Sequence, residues 1–233
     1  MKKQTGYTLI EIMISLVLGL IVLGATISIY TSTVGSSTNI IKSARLNHDL
    51  ESVMSLMIND IKRSGYWGRA TVASDSRNNP FTATTANIQI LANTCILYSY
   101  DADSDGIVES NEYYGFKFES NSVKMRKTGA TTADCGNGTW EEFIDGNQLT
   151  ITVLQFSFIP VAGVLPATSR CLNVTTNTVT NAASCASAIA GDNIAEKRLV
   201  NIQLTGQVTS DPTVTKILNG TVEVRNNRLS QQP

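Results

Sequence analysis

From Tyr7 to Tyr30 the chain is one apolar run, YTLIEIMISLVLGLIVLGATISIY, with Glu11 as its only charge and no proline. A helix crosses a bilayer with about 20 apolar residues, so residues 7–30 are predicted to span one. Lys2 and Lys3 precede the run and the next basic residue is Lys42. The positive-inside rule then places the N-terminus in the cytoplasm and everything after Tyr30 on the far side. A cleaved secretory signal would need a shorter core, a small-residue cleavage site and no internal acid. The anchor is therefore read as retained.

Beyond the run, Ile41, Ala44, Leu50, Val53, Met54, Met57, Ile58 and Ile61 recur at spacings of three and four. That is the apolar stripe of an amphipathic helix. Lys42, Arg45, Asp49, Glu51, Asp60 and Lys62 sit mostly off it. Gly65 supplies a stop, preceded by Lys62 and Arg63, which suit the negative end of a helix. With no proline before Ser64, one helix is predicted from the membrane segment to that stop. The segment Thr31–Asn39, poor in helix formers and containing Gly35, is where a kink or frayed turn is expected.

The pattern then changes period. Residues 87–91, 95–100, 113–119, 122–127, 148–159, 198–208 and 221–229 read as strands. Alternation in Leu149, Ile151, Val153, in Phe156, Phe158 and in Val200, Ile202, Leu204 gives each of the longer runs one buried face. Ala167 to Asp192 is rich in Thr, Asn, Ala and Ser and reads as a long surface excursion. The predicted class is α+β, with an antiparallel sheet wrapped on the outer half of the helix. The segments are 7–30 in the membrane, 31–65 as amphipathic helix, and 66–233 as a β-rich outer domain.

Composition narrows the function. The 18 Lys+Arg against 19 Asp+Glu leave no basic surface for nucleic acid. Charged residues make up 16%, while Ser, Thr and Asn together number 68, a weakly charged polar surface suited to export. His48 is the single histidine, which rules out a His-rich zinc site and fits a solvated helix position. No nucleophile–base pair or phosphate loop is visible, so an enzyme is not expected. Cys95, Cys135, Cys171 and Cys185 all follow the membrane segment without a C-x-x-C. Three pairings are possible. Cys95–Cys135 with Cys171–Cys185 is favoured, because the second bridge would staple the Thr/Asn-rich stretch.

One segment matches a metal-loop pattern. Asp101, Asp103, Asp105, Gly106 and Glu112 satisfy D-x-[DN]-x-[DN]-G-x5-E at every fixed position. Asp101, Asp103 and Asp105 would each give one oxygen, Ile107 its carbonyl, Glu109 a direct or water-borne contact, and Glu112 two oxygens. An acidic turn between strands explains the same residues. Ca²⁺ is the favoured reading, because carboxylates so close together repel without a cation. The strand-like flanks make it a structural clamp rather than a sensor. Mg²⁺ suits it less, since Mg²⁺ prefers fewer carboxylates and more water.

Gly6-Tyr7-Thr8-Leu9-Ile10-Glu11, after a basic leader and before an apolar run, resembles the N-terminal signature of type IV prepilins and type II secretion pseudopilins. The resemblance implies a pilin-like fold with a long N-terminal spine. It implies cleavage by a prepilin peptidase between Gly6 and Tyr7, which removes leader 1–6, and N-methylation of Tyr7. Glu11, fifth in the mature chain, would pair with the N-terminal amine of a neighbouring subunit. Tyr7 stands where the family usually has Phe. The segment DIKRSGYWGRA (60–70) resembles the end of the spine in PilW-type minor pilins. Together the two resemblances imply a minor subunit that starts or caps a pilus fibre on the cell surface. Its partners would be other minor pilins, the major pilin and the inner-membrane assembly platform. The alternatives are a type II secretion minor pseudopilin, or a Ca²⁺-stapled envelope binding domain that never enters a fibre.

Overall fold

The computed structural model describes residues 6–70, 76–144, 146, 148–159, 169–182, 185 and 190–231. Lys2 and Lys3, and parts of the Thr/Asn-rich stretch, lie outside the described residues. The chain divides into two units, Met1–Arg45 and Leu46–Pro233.

Helix α1 runs from Leu9 to Ile61 without interruption. From Tyr7 to Ile41 every large apolar side chain on it is exposed, and the helix is long and apolar enough to cross a membrane. No frayed turn occurs at Thr31–Asn39. Thr31, Thr33 and Thr38 return their hydroxyls to carbonyls three or four residues back, at 2.9–3.0 Å. Such back-bonding satisfies each hydroxyl within its own turn, and the helix continues through all three.

The second unit buries the end of α1, through Leu46, Leu50, Val53, Met54, Met57 and Ile61. Ile41 and Ala44, expected on this stripe, are exposed, whereas Leu46 and Asp60 are buried. Among the described residues, this unit also holds three antiparallel sheets. The first is a meander of β1 (Gln89–Leu91), β2 (Cys95–Ser99), β3 (Tyr113–Glu119), β4 (Ser122–Thr128) and β5 (Thr139–Glu142). The second has the order β11-β10-β6, with β6 Leu149–Phe158, β10 Leu199–Val208 and β11 Asp211–Glu223. The third has the order β12-β9-β7-β8, from β7 (Ser169–Asn173), β8 (Thr178–Ala182), β9 (Asn193–Lys197) and β12 (Arg228–Gln231).

One core joins helix and sheets: Leu50, Met57 and Ile61 from α1, Ile96 and Tyr98 from β2, Phe116 from β3, Phe156 from β6, and Ile202 and Leu204 from β10 are all fully buried. The helix seats closely on the second sheet. A Cβ on Gly220 would lie 2.7 Å from Met54 Sδ, and one on Gly206 would lie 2.9 Å from Leu50 Cδ2.

Several expectations change. In β6 the register to β10 shifts beside Thr205, leaving Thr152 unpaired. The bulge moves the inward face from Leu149 and Ile151 to Leu154 and Phe156. Val153 and Phe158 are only half-buried. The predicted strand 221–229 is two strands: the end of β11, which starts at Asp211, and β12 after a turn. The Thr/Asn-rich stretch is no plain excursion, since β7 and β8 pair within it. The disulfides are Cys95–Cys135 and Cys171–Cys185, as favoured.

The bridges span 40 and 14 residues of sequence. Constraint of the unfolded chain grows with loop length, so Cys95→Ser/Cys135→Ser should cost about 4 kcal/mol and Cys171→Ser/Cys185→Ser about 3. Denaturant titration of the full chain in detergent, followed by tryptophan fluorescence, measures both. The larger loss should fall on the first pair.

Candidate functional site

At the start of α1, Thr8 and Glu11 cap each other. The Thr8 amide donates to Glu11 Oε2 at 3.0 Å and the Thr8 hydroxyl to the same oxygen at 2.9 Å. The Glu11 amide approaches Thr8 Oγ1 at 3.4 Å. This is the reciprocal arrangement that S/T-x-x-E encodes, satisfying donors that a helix start leaves open. Glu11 Oε1 takes no hydrogen bond among the described residues. The carboxylate thus caps its own helix with one oxygen and presents the other. Gly6 and Tyr7 precede this cap outside any regular element, and Tyr7 is exposed.

At the other end, the chain leaves α1 through Asp60-Ile-Lys-Arg-Ser-Gly-Tyr-Trp-Gly-Arg69. Asp60 faces the sheet, against the expectation that it lies off the buried stripe. Its carboxylate accepts from Tyr98 Oη at 2.5 Å and Tyr100 Oη at 3.0 Å. Arg63 lies 3.7 Å from Asp60 Oδ1 and stacks its guanidinium 4.0 Å over the Tyr100 ring. Tyr114 stacks on Tyr100 with centroids 4.0 Å apart. Burial, followed by the Asp60 charge, pushes the Tyr98 and Tyr100 hydroxyls well above the ordinary tyrosine range. The helix exit is closed by Asn226, whose amide group donates to the Arg63 and Ser64 carbonyls at 3.1 Å each. Nothing local in the sequence announces Asn226 or Tyr98 as partners, because they lie 163 and 38 residues from what they bond.

The acidic loop follows β2 and lies against this exit. Gly65 donates to the Ser99 carbonyl at 2.8 Å, and Asp101 to the Tyr66 carbonyl at 3.0 Å. Asp101, Asp103 and Asp105 come together, with one carboxylate oxygen of each within 4.8 Å of the others. Asp103 Oδ1 accepts from the Asp105 amide and Asp105 Oδ1 from the Ile107 amide. Asp101 is 1% exposed. The Glu109 and Glu112 carboxylates do not join this trio. Ile107 is exposed and its amide serves Asp105. The Glu109 amide donates to Glu112 Oε2 at 3.1 Å, and the Ala102 amide donates to Glu112 Oε1 at 2.7 Å. Glu112 therefore braces the base of the loop. Burial raises its pKa, with smaller contributions from Asp101 and Asp103. His48 is solvent-facing, beside Asp49 at 3.3 Å.

Comparison with known families matches residues 39–224 to prepilin peptidase-dependent protein B, and residues 1–27 to the prokaryotic N-terminal methylation motif. No curated protein and no solved structure matches the chain. The methylation motif takes in Gly6, Tyr7 and Glu11. The other match begins on α1 ahead of its buried stripe and ends one residue past β11.

The tyrosine pair sets a pH limit. Hydroxyls whose pKa is raised in the fold hold their protons there after the unfolded chain would lose them, at a pH of about 10. Their contribution is complete below that pH and is lost as pH rises above it. Alkaline unfolding should therefore coincide with the rise in tyrosinate absorbance. Tyr98→Phe, which takes the partner from Asp60 Oδ2, should cost about 2 kcal/mol at neutral pH.

Proposed function

The chain belongs to the prepilin peptidase-dependent protein B family, and on that footing we propose that it is a minor subunit of a type IV pilus, of the PilW type. The observation that carries this reading is the Gly6–Tyr7 junction, with Glu11 capping a helix whose large apolar side chains are exposed as far as Ile41.

Processing comes before assembly. Lys2 and Lys3 hold the leader on the cytoplasmic side while residues 7–30 span the inner membrane. The peptidase cuts after Gly6, and the freed amine of Tyr7 is methylated but stays cationic. A carboxylate in hydrocarbon is costly unless it finds a partner. Thr8 stabilises one oxygen of Glu11 while the subunit waits in the membrane. The other is open to the N-terminal amine of the next subunit. Pairing of opposite charges in a low dielectric rewards correct axial stagger and opposes misplaced neighbours. The apolar side chains from Leu9 to Tyr30 then exchange lipid for the helices of neighbouring subunits. Outside the membrane, the β-rich unit meets the other minor pilins and the major pilin at the start or cap of the fibre.

Glu11→Ala tests this. The variant should still insert and be cleaved, but its amount in sheared fibres should fall at least tenfold against wild type in the same cells. Glu11→Gln, which keeps the cap to Thr8 without the charge, should fall nearly as far. Fibre incorporation unchanged in both variants would favour an anchored envelope domain instead.

A further inference from the structure

We propose that Asp101, Asp103 and Asp105 bind a Ca²⁺ ion, and that the ion locks the Tyr66–Arg69 strap leaving α1 onto the sheet. This inference does not rest on the pilus assignment.

The first ground is the carboxylate cluster, three oxygens within 4.8 Å of one another. The second is the state of Asp101. It is 1% exposed, and its Oδ2 accepts from the Gly68 amide at 2.9 Å and the Gly106 amide at 3.1 Å. Its Oδ1 is buried and has no hydrogen-bond partner. A buried carboxylate oxygen without a donor is uncommon in folded proteins and calls for a partner, such as an ordered water or a cation. No Lys or Arg side chain among the described residues pairs with any of the three aspartates. Arg69, the cation beside them, gives Nη1 to the Asp105 carbonyl and not to a carboxylate. The negative charge is thus left for an ion.

The donors select the ion. An all-oxygen set with three carboxylates and no nitrogen or sulfur suits a hard cation. Several carboxylates on a turn fit the larger, flexible shell of Ca²⁺ better than the tight octahedron of Mg²⁺. Glu112 holds both oxygens on the Ala102 and Glu109 amides, which fixes the loop's base and leaves each oxygen a further lone pair.

The strap and the loop interlock too closely to move apart independently. A Cβ on Gly68 would lie 2.5 Å from Ser104 Cβ, and one on Gly106, where φ is +81°, would lie 2.5 Å from Arg69 Cδ. Through Gly68 the ion's principal ligand is bonded to the strap itself. The GYWG segment and the acidic loop, 33 residues apart at the Gly68–Asp101 bond, therefore form one site.

The test uses the full-length protein in detergent, freed of metal by chelation. Calorimetry should show one Ca²⁺ per chain, with a Kd in the range of about 10⁻⁶ to 10⁻³ M, and the melting temperature should rise with Ca²⁺ but not with equal Mg²⁺. Asp103→Asn/Asp105→Asn keeps the side-chain acceptors of the turn while removing two charges, and should weaken binding at least tenfold. Ca²⁺ should also slow tryptic cleavage after the exposed Arg69 at least threefold in the wild type. Absence of binding heat and of any thermal shift at about 10 mM Ca²⁺ would overturn the site, whether or not the variant folds. So would undiminished binding by a folded variant, or an equal response to Mg²⁺. Unchanged cleavage after Arg69 in a protein that binds Ca²⁺ would overturn the lock on the strap.

Discussion

The carboxylate of Asp60 decides where the helix can sit. It lies one residue before the end of α1 and is 9% exposed, so its charge needs partners that travel with the sheet. Tyr98 and Tyr100 of the β2 segment supply them, with Arg63 alongside. A buried charge without hydrogen bonds is strongly unfavourable, so the helix end, β2 and the stacked Tyr100–Tyr114 pair are fixed together or not at all. The apolar contacts of Leu50, Met57 and Ile61 seat the helix on the sheets. The directional bonds of Asp60 to Tyr98 and Tyr100 add a constraint on its rotation. From it come the Gly65–Ser99 bond, the path of the strap and the approach of Gly68 to Asp101.

The same helix obeys two solvents. Its last turns bury Leu46 to Ile61 in the core of the second unit. Its first turns expose every large apolar side chain up to Ile41. A patch of that extent on a soluble protein signals an interaction surface or a membrane, and its portion up to Tyr30 has the length that crosses a bilayer. Glu11 is the single acid in that stretch, and Thr8 donates twice to one of its carboxylate oxygens at the start of the helix.

The parts of the fold written in local pattern were legible in the sequence. Residues 113–119 match β3 to the residue, and the period of three and four located Leu50, Val53, Met54 and Met57 on the buried face. The Thr8–Glu11 capping box rests on an equally local spacing but was not among the expectations. What failed depends on distant partners. Asp60 reads as a solvated charge until two tyrosines some 40 residues later are placed against it. Val153 reads as inward until the bulge opposite Thr205 reverses the face. The polar hairpin β7–β8 has too few apolar positions to show a period, and the register it makes with β9 and the Cys171–Cys185 bridge hold it instead. The acidic loop was visible as a motif. Its junction with the GYWG strap was not, because proximity across 33 residues leaves no periodic trace.

Whether the chain is processed as a prepilin is decided at the N-terminus of the protein taken from its own membranes. Intact mass and N-terminal sequencing should find a chain that begins at Tyr7 and carries one methyl group on its amine. A chain that still begins at Met1, or one cut beyond Tyr30 with the apolar helix removed, would contradict the account.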